Sequence, residues 1–395
     1  MNLKRSSSMQ FIILMGVVSL FGDITYEGGR SVTGPYMAFL GASAAIVGFV
    51  SGLGEFLGYA LRLVSGYFAD RTKAYWPLTF FGYGLILAVP FLAFCGNWQA
   101  AAVLIILERM GKAVRAPARD AILSYATKEV GRGWGFAVHE AMDQIGAIAG
   151  PLLFSVVFFL KGGYRQGFSI LFIPAALTLF VLYQAKIRVS HPERLEEGGT
   201  LGAEEAKPVQ PFSKVFWLYA LFTFFCVAGF ANFQVLSYHF KIKAVVPDAQ
   251  IPLFYMIAMA VDGVVALIIG KTYDKIGLKA LFALPILTIP IPFLGFSSSY
   301  LLALSSVVLW GAVMGIHETI MRAAIADLTH IKKRGTAYGI FNAIYGLAWF
   351  LGSVSVGVLY DKAASIIPIF VVATQALSIP FLFFMGRHSL VPTKR

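Results

Sequence analysis

One helix-length stretch limits what this chain can fold into. Residues 100 to 126 are apolar except for a charged centre, Glu108, Arg109, Lys112, Arg115, Arg119 and Asp120. At 100° per residue, Glu108, Lys112, Arg115 and Arg119 fall within roughly 60° of one another on a helix. Each charge facing lipid near a bilayer centre opposes insertion by about 2.5 to 3.5 kcal/mol, so four oppose it by on the order of 10 kcal/mol. A polar cavity inside a bundle of helices removes that penalty. The chain is therefore expected to surround this stripe with other spans.

Composition agrees. Of 395 residues, 58% are hydrophobic and 13% charged, and mean hydropathy is +0.75. Soluble domains carry about 25% charge, so an all-α polytopic membrane protein is predicted. Apolar runs of about 20 residues place twelve spans near 11–38, 43–68, 76–95, 98–126, 134–160, 165–185, 213–241, 249–272, 279–297, 300–328, 336–360 and 364–387. An even number puts both termini on one side. That side carries 20 of the 32 Lys and Arg, the other side 5, and 7 lie within spans. The positive-inside rule makes both termini cytoplasmic, and the net charge of +12 reflects topology rather than nucleic-acid binding. Lys4, Arg5 and the apolar run that follows start like a signal peptide, but no small-residue cleavage site succeeds them, so this run is read as the first span. Cys95 and Cys226 offer neither metal spacing nor a disulfide framework.

Residues 186–211 form the one long polar segment, rich in Glu, and are expected to be a cytoplasmic linker. It separates an N-terminal six-helix bundle, 1–185, from a C-terminal six-helix bundle, 212–395. The halves repeat: Gly66, Asp70 and Arg71 recur as Gly270, Asp274 and Lys275 at an offset of 204, and Gly135 recurs as Gly339. Two parallel six-helix repeats predict a secondary transporter.

On these residues the chain resembles the major facilitator superfamily over essentially its whole length. Members carry a G-x-x-x-D-[RK]-x-G-[RK] loop after the second helix, often echoed after the eighth. The echo here keeps Gly270, Asp274, Lys275 and Gly277. The first copy keeps Gly66, Asp70, Arg71 and Lys73, with Ala74 and Tyr75 read at the usual glycine and basic positions. Arg109 and Pro117 are similar to a fourth-helix arginine and proline of proton-linked antiporters, with Lys112 near the usual glutamine. Gly146, Gly150 and Pro151 are similar to the fifth-helix antiporter motif G-x-x-x-G-P, although Phe154 and Ser155 replace a glycine pair. The resemblance implies twelve helices, alternating access and an exporting, proton-linked branch.

Charge concentrates in the first half. Asp23, Glu27 and Arg30 follow i, i+4, i+7 and share a helix face. Glu55 and Arg62 lie in the second span, and His139, Glu140 and Asp143 in the fifth. The second half offers Asn232, His239, Asp262, His317, Glu318 and Arg322. Intramembrane carboxylates are functional candidates, so Asp23, Glu27 and Glu108 are assigned to proton coupling. Substrate contact is assigned to Arg30, Glu55, Arg109, Lys112, Arg115, His139, Asp143, Asn232, His317 and Glu318. Gly66, Asp70, Arg71, Arg119, Asp120, Asp274 and Lys275 are assigned to gating, as latch pairs that break and reform during rocking.

The expected function is a proton-coupled secondary transporter of the cell inner membrane, exporting a small polar or charged molecule. Its partners would be that substrate and the lipid bilayer, with no nucleic acid and no ATP-hydrolysing subunit, since no G-x-x-x-x-G-K-[ST] occurs. No cofactor is expected; the proton gradient supplies the energy. A multidrug efflux pump for amphipathic compounds is the alternative. A metal-ion carrier using His139, Glu140, Asp143 and His317 is a further one, with no dedicated metal site expected. A membrane-embedded enzyme lacks a nucleophile elbow or H-E-x-x-H set, and a transport-dead sensor lacks an added soluble domain.

Overall fold

A computed structural model describes residues 3–190, 212–329 and 334–388. Among these residues there is no strand. The chain begins with α1 (Leu3–Phe39), α2 (Ala44–Thr72), α3 (Tyr75–Gly84), the short α4 (Ala88–Phe91), α5 (Trp98–Val130), α6 (Arg132–Phe159), α7 (Tyr164–Ile170) and α8 (Phe172–Arg188). It continues with α9 (Lys214–Ala228), α10 (Phe233–Ile242), α11 (Ile251–Ile276), α12 (Ala283–Thr288), α13 (Pro290–Gly295), α14 (Tyr300–Leu328), α15 (Arg334–Lys362) and α16 (Ile367–His388). Ten stretches among the described residues are long and apolar enough to cross a membrane, and the protein is a multi-pass membrane protein. The 33-residue α5 is not among the ten, because its charges breach any apolar criterion. Most of the expected linker, residues 191–211, and the basic residues Lys332 and Lys333 lie outside the described residues.

Three expected spans are broken rather than continuous. The run expected as one helix over 213–241 stops at Ala228 and restarts at Phe233. The Asn232 side chain caps the new start, accepting from Gln234 N at 2.7 Å. Carbonyls near the break find other donors: Gln375 Nε2 donates to Cys226 O at 2.8 Å and Trp310 Nε1 to Ala231 O at 2.9 Å. In lipid an unsatisfied carbonyl costs several kcal/mol, so these two side chains are what permit the break. The run over 279–297 splits into a 3-10 turn, α12 and α13, where Pro285, Pro290 and Pro292 remove ladder donors. Pro90 does the same between the 3-10 turns that flank α4.

Packing forms two units, Met1–Ser31 with Leu61–Lys207, and Val32–Ala60 with Pro208–Arg395. The first has a core of Phe11, Ile12, Met15, Trp76, Tyr83, Ile122 and Leu182. In the second, the hairpin formed by the end of α1 and the start of α2 lies on the C-terminal helices. Asp361 at the end of α15 accepts backbone N–H groups of Ala44 at 3.1 Å and Ala45 at 2.9 Å, a carboxylate on the positive end of α2. Asn232 Nδ2 donates to Ser51 Oγ at 3.0 Å and to Ser353 Oγ at 3.1 Å, tying α2 and α15 to the start of α10.

The repeated loop motif has a sharper equivalence than the sequence reading supplied. The left-handed turn after α11 falls on Gly277, with φ 58°. Its counterpart 204 residues earlier is Lys73, with φ 54°. Lys73, not Ala74, therefore stands at the glycine position of the first copy, and it holds a conformation that costs an L-residue roughly 1–2 kcal/mol. Lys73→Gly is expected to stabilise the protein by up to about 1 kcal/mol, because the relieved strain is partly offset by added chain entropy. Gly277, with ψ −140°, lies where little but glycine is found, so Gly277→Ala is expected to destabilise it by about 1–3 kcal/mol. Thermal unfolding of the purified protein in detergent checks both, and equal shifts at the two positions would contradict the equivalence.

Candidate functional site

Lipid tails are as apolar as leucine, so helices in a bilayer associate through close backbone contact at small residues. Two such crossings shape the first unit. A Cβ at Gly146 would lie 2.6 Å from Leu20 O and 2.9 Å from Asp23 Cβ. One at Gly150 would fall on Ile24 O and, at 2.6 Å, on Gly28 N. The glycines matched to the antiporter motif thus press α6 onto the α1 turn that carries Asp23 and Glu27. At the other crossing, a Cβ at Gly82 would lie 2.5 Å from Arg115 Cβ and 2.6 Å from Gly111 O, which draws α5 and its charges against α3.

Between these crossings the charges gather on Tyr26, a residue the sequence reading did not single out. The guanidinium carbon of Arg109 lies 4.7 Å, Lys112 Nζ 4.0 Å and the guanidinium carbon of Arg30 5.8 Å from the Tyr26 ring centroid. Arg30 Nη1 also donates to the Tyr26 hydroxyl at 3.1 Å. Buried Arg115 does the same on a second tyrosine, 4.8 Å from the Tyr83 centroid, and donates to Gly82 O at 3.4 Å. A desolvated cation over an aromatic face gains about 2 kcal/mol, which offsets part of its burial. The tyrosines carry a weak sequence signal: Tyr26 sits three residues after Asp23 and four before Arg30, on the same helix face.

The acids stand close to this group. Glu27 lies 3.9 Å from Arg30, and buried Glu108 lies 3.9 Å from Arg109 and 3.8 Å from Arg115. A charge-assisted hydrogen bond closes at about 2.7–2.9 Å, so these three contacts are attractive at longer range. Glu108 Oε1 makes no hydrogen bond among the described residues. Lys112 forms no ion pair among them, although its Nζ sits over Tyr26.

One turn further along α5 the arrangement is tighter. Arg119 pairs with Asp120 at 2.9 Å and donates to Ser19 Oγ at 3.1 Å, with Asp143 at 3.9 Å. Ser19 Oγ lies 3.0 Å from His139 Nε2 and 3.3 Å from the Tyr83 hydroxyl, while His139 Nδ1 lies 3.6 Å from Asp143. Ser19 and Tyr83, absent from the sequence reading, are the centre of this network. The end of α2 rests on the same helix: Ser65 Oγ donates to Ala113 O at 2.8 Å, and Gly66 stands at ordinary contact from Pro117. Asp70 and Arg71 are exposed at the end of α2, where Arg71 Nη1 donates to the Tyr67 hydroxyl at 3.1 Å. Glu140 is exposed on α6.

The remaining candidates belong to the second unit. Asn232 is buried as the helix cap described above, and Glu55 is half-buried on α2. Asp274 and Lys275 are exposed near the end of α11, beside Tyr273, whose hydroxyl donates to Asp327 at 2.8 Å. His239 bridges the Tyr360 hydroxyl at 2.9 Å and Ser297 O at 3.2 Å. His317, 2% exposed, pairs through Nδ1 with the Tyr345 hydroxyl at 3.2 Å and is ringed by aromatic residues. Its Nε2 and the Nε1 of Trp349 have no hydrogen-bond partner among the described residues, and a buried unsatisfied polar group costs about 1–3 kcal/mol. His139 and His317 belong to different packing units, and no group of three or more His, Cys, Asp or Glu placed to hold a metal occurs among the described residues.

The sequence matches the family model of the Major Facilitator Superfamily over residues 8–353. An uncharacterized protein of Mycobacterium tuberculosis is 39% identical over 390 residues, covering 98% of this chain and 95% of the relative. An uncharacterized MFS-type transporter of Methanocaldococcus jannaschii is 27% identical over 362 residues, covering 88% of each. Among solved structures, a variant of nucleoside transporter NupG superposes with TM-score 0.75 at 13% identity, covering 95% of this chain and 99% of the other. A variant of peptide transporter POT in complex with alafosfalin gives TM-score 0.74 at 15% identity, covering 95% and 94%. At such identities the two structures speak for the fold alone. With the family match spanning most of its length, the chain belongs to the Major Facilitator Superfamily and is a membrane transporter rather than an enzyme.

Proposed function

We propose that this transporter moves a small organic or inorganic anion across the cell inner membrane, coupled to protons, in the export direction. The observation that carries the substrate class is the convergence of Arg30, Arg109 and Lys112 on the Tyr26 ring. Four cations, counting Arg115, face three acids, Asp23, Glu27 and Glu108, so the group holds one positive charge in excess. A carboxylate or phosphate that accepts from Lys112 and the guanidinium of Arg109 supplies the missing charge and forms charge-assisted bonds.

Proton coupling rests on Asp23, Glu27 and Glu108. Protonating Glu108 removes its attraction for Arg109 and Arg115 at 3.8–3.9 Å and so changes the affinity of the group for its substrate. The membrane potential contributes about 2.3 kcal/mol per charge per 100 mV, plus the pH term. Arg119, Asp120, Asp70 and Arg71 are read as gating groups, in keeping with the short 2.9 Å Arg119–Asp120 pair. Export is supported by Gly146 and Gly150, which seat α6 directly on the Asp23 turn. Counting α5 as a span and the 48-residue stretch Asp248–Gly295 as two supports a reading of twelve spans, and the positive-inside rule supports cytoplasmic termini. The gradient is the energy source, without cofactor or ATP-hydrolysing subunit.

Thermal-shift titration of the purified protein with inorganic phosphate, succinate and benzoate tests the substrate class. At least one anion is expected to stabilise the wild type, with Lys112→Gln weakening its apparent affinity about tenfold or more, the loss of one charged hydrogen bond. Stabilisation by cations and neutral amphiphiles alone would sink the anion reading in favour of the multidrug one.

The coupling reading is checked separately in proteoliposomes with an imposed pH gradient. Glu108→Gln is expected to abolish the pH dependence of flux while leaving counterflow without a gradient, and Asp23→Asn or Glu27→Gln is expected to blunt it. Unchanged pH dependence in all three variants would remove proton coupling from these residues.

A further inference from the structure

We infer that Asp361 is a latch that holds the two sequence repeats together beside the α1–α2 turn and releases them during transport. This rests on the family fold and not on the anion reading. Gly66 and Gly135 place α2 in the first repeat, and their counterparts Gly270 and Gly339 place α15 in the second. Packing nevertheless groups Val32–Ala60, which includes the start of α2, with the C-terminal helices. Transporters of this build work by rocking one repeat against the other around a fixed site. A contact that joins the repeats at one end therefore holds only while that end is closed. The α2–α15 contact is close. A Cβ at Gly48 would fall on Ser353 O and lie 3.3 Å from Gly357 Cα, one at Gly52 would lie 2.9 Å from Ser353 Cβ, and one at Gly357 would fall on Ala44 O. Further along, Phe49 meets Phe350 at 5.7 Å between centroids and Tyr59 meets Tyr345 at 4.9 Å. Asn232 adds a hydrogen bond to Ser51 at 3.0 Å, but Ser51 Oγ also donates to Val47 O and keeps that partner without it.

Asp361 differs in kind from these packing contacts. One carboxylate oxygen accepts from Ala44 N at 3.1 Å and the other from Ala45 N at 2.9 Å. The first N–H groups of a helix have no partner within it, and the helix dipole makes them its positive end. The carboxylate is thus held by backbone donors, which no rotamer change can withdraw. Asp361 is exposed, so water replaces its partners when the helices part, and no charge is left buried and unpaired. A buried ion pair would leave such a charge, at a cost that opposes opening. Nearby cations do not compete for the carboxylate. At this end His239 of α10 meets the Tyr360 hydroxyl at 2.9 Å, and just beyond it Lys241 pairs with Asp248. Asp361 itself forms no ion pair among the described residues, so the α2 start is what it serves.

The test needs no substrate, so its outcome is independent of the anion reading. Full-length protein carrying Cys95→Ala and Ser353→Cys is placed in nanodiscs, and its reaction with a bulky water-soluble maleimide is followed by mass spectrometry. Ser353 is 1% exposed within the α2–α15 contact, and fully buried Cys226 of α9 serves as an internal control. Asp361→Asn is expected to speed labelling at position 353 about five- to thirtyfold, the loss of a charge-assisted hydrogen bond at an exposed site, while Cys226 stays unlabelled. Ala44→Pro removes one of the two donors at a first-turn position that suits proline, and is expected to act in the same direction. Asp248→Asn, the loss of another exposed carboxylate at this end, is expected to leave the rate unchanged. An unchanged rate at position 353 in folded Asp361→Asn overturns the proposal, and Ala44→Pro decides alone where that variant does not fold. Equal acceleration at Cys226, which reports loosening of the whole unit, overturns it as well, as does equal acceleration in Asp248→Asn.

Discussion

Charge that cannot face lipid governs this molecule. Helix α5 carries Glu108, Arg109, Lys112, Arg115, Arg119 and Asp120 through a region where each exposed charge opposes insertion by about 2.5–3.5 kcal/mol. The protein meets this with two arrangements of different stiffness. Near Tyr26, cations rest on aromatic faces and carboxylates stand at 3.8–3.9 Å, outside hydrogen-bonding distance. Near Ser19, Arg119 is held at 2.9–3.1 Å by Asp120 and the serine hydroxyl. The first arrangement rests on aromatic faces and longer-range attraction. The second fixes a guanidinium in one place.

Backbone approach decides where those charges meet. Gly146 and Gly150 bring α6 onto α1, and Gly82 with Gly111 brings α3 onto α5. A methyl group at any of these four positions would meet backbone or Cβ atoms of the facing helix at or below 2.9 Å. Helices separated by that much more would carry Arg115 away from Tyr83 and Asp23 away from the cation group. A residue pattern that resembles an antiporter signature is therefore also a packing device, and its chemical effect is indirect: it sets the distance between α1 and the groups that α1 must oppose.

Much of this was legible in the sequence because hydropathy and charge act over whole helices. The charged stripe of α5, the repeat at an offset of 204 and the face shared by Asp23, Glu27 and Arg30 all follow from periodicity. Tyr26, Tyr83 and Ser19 did not show, since one tyrosine or serine in an apolar helix looks like any other until a cation is placed beside it. The glycine position of the first loop was misplaced by one residue, because Lys73 adopts the left-handed turn that composition assigns to glycine. Asn232 was assigned to substrate contact from its polarity alone, and its roles as a cap of α10 and as a link to Ser51 and Ser353 left no sequence signal.

The break between α9 and α10 was hidden for a related reason. Residues 213 to 241 are apolar enough to read as one span, and nothing local forbids a continuous helix there. What makes the break affordable lies far along the chain: Trp310 supplies Ala231 O and Gln375 supplies Cys226 O. Long-range donors of this kind leave no trace in a window of 20 residues. Once they are in place, Phe230 is released from helical geometry to pack against His317, Trp310 and Trp349. The same indole and amide groups that satisfy the broken backbone thus build the aromatic surroundings of His317. Replacing either donor would be felt first in that ring cluster, before any group that touches solvent.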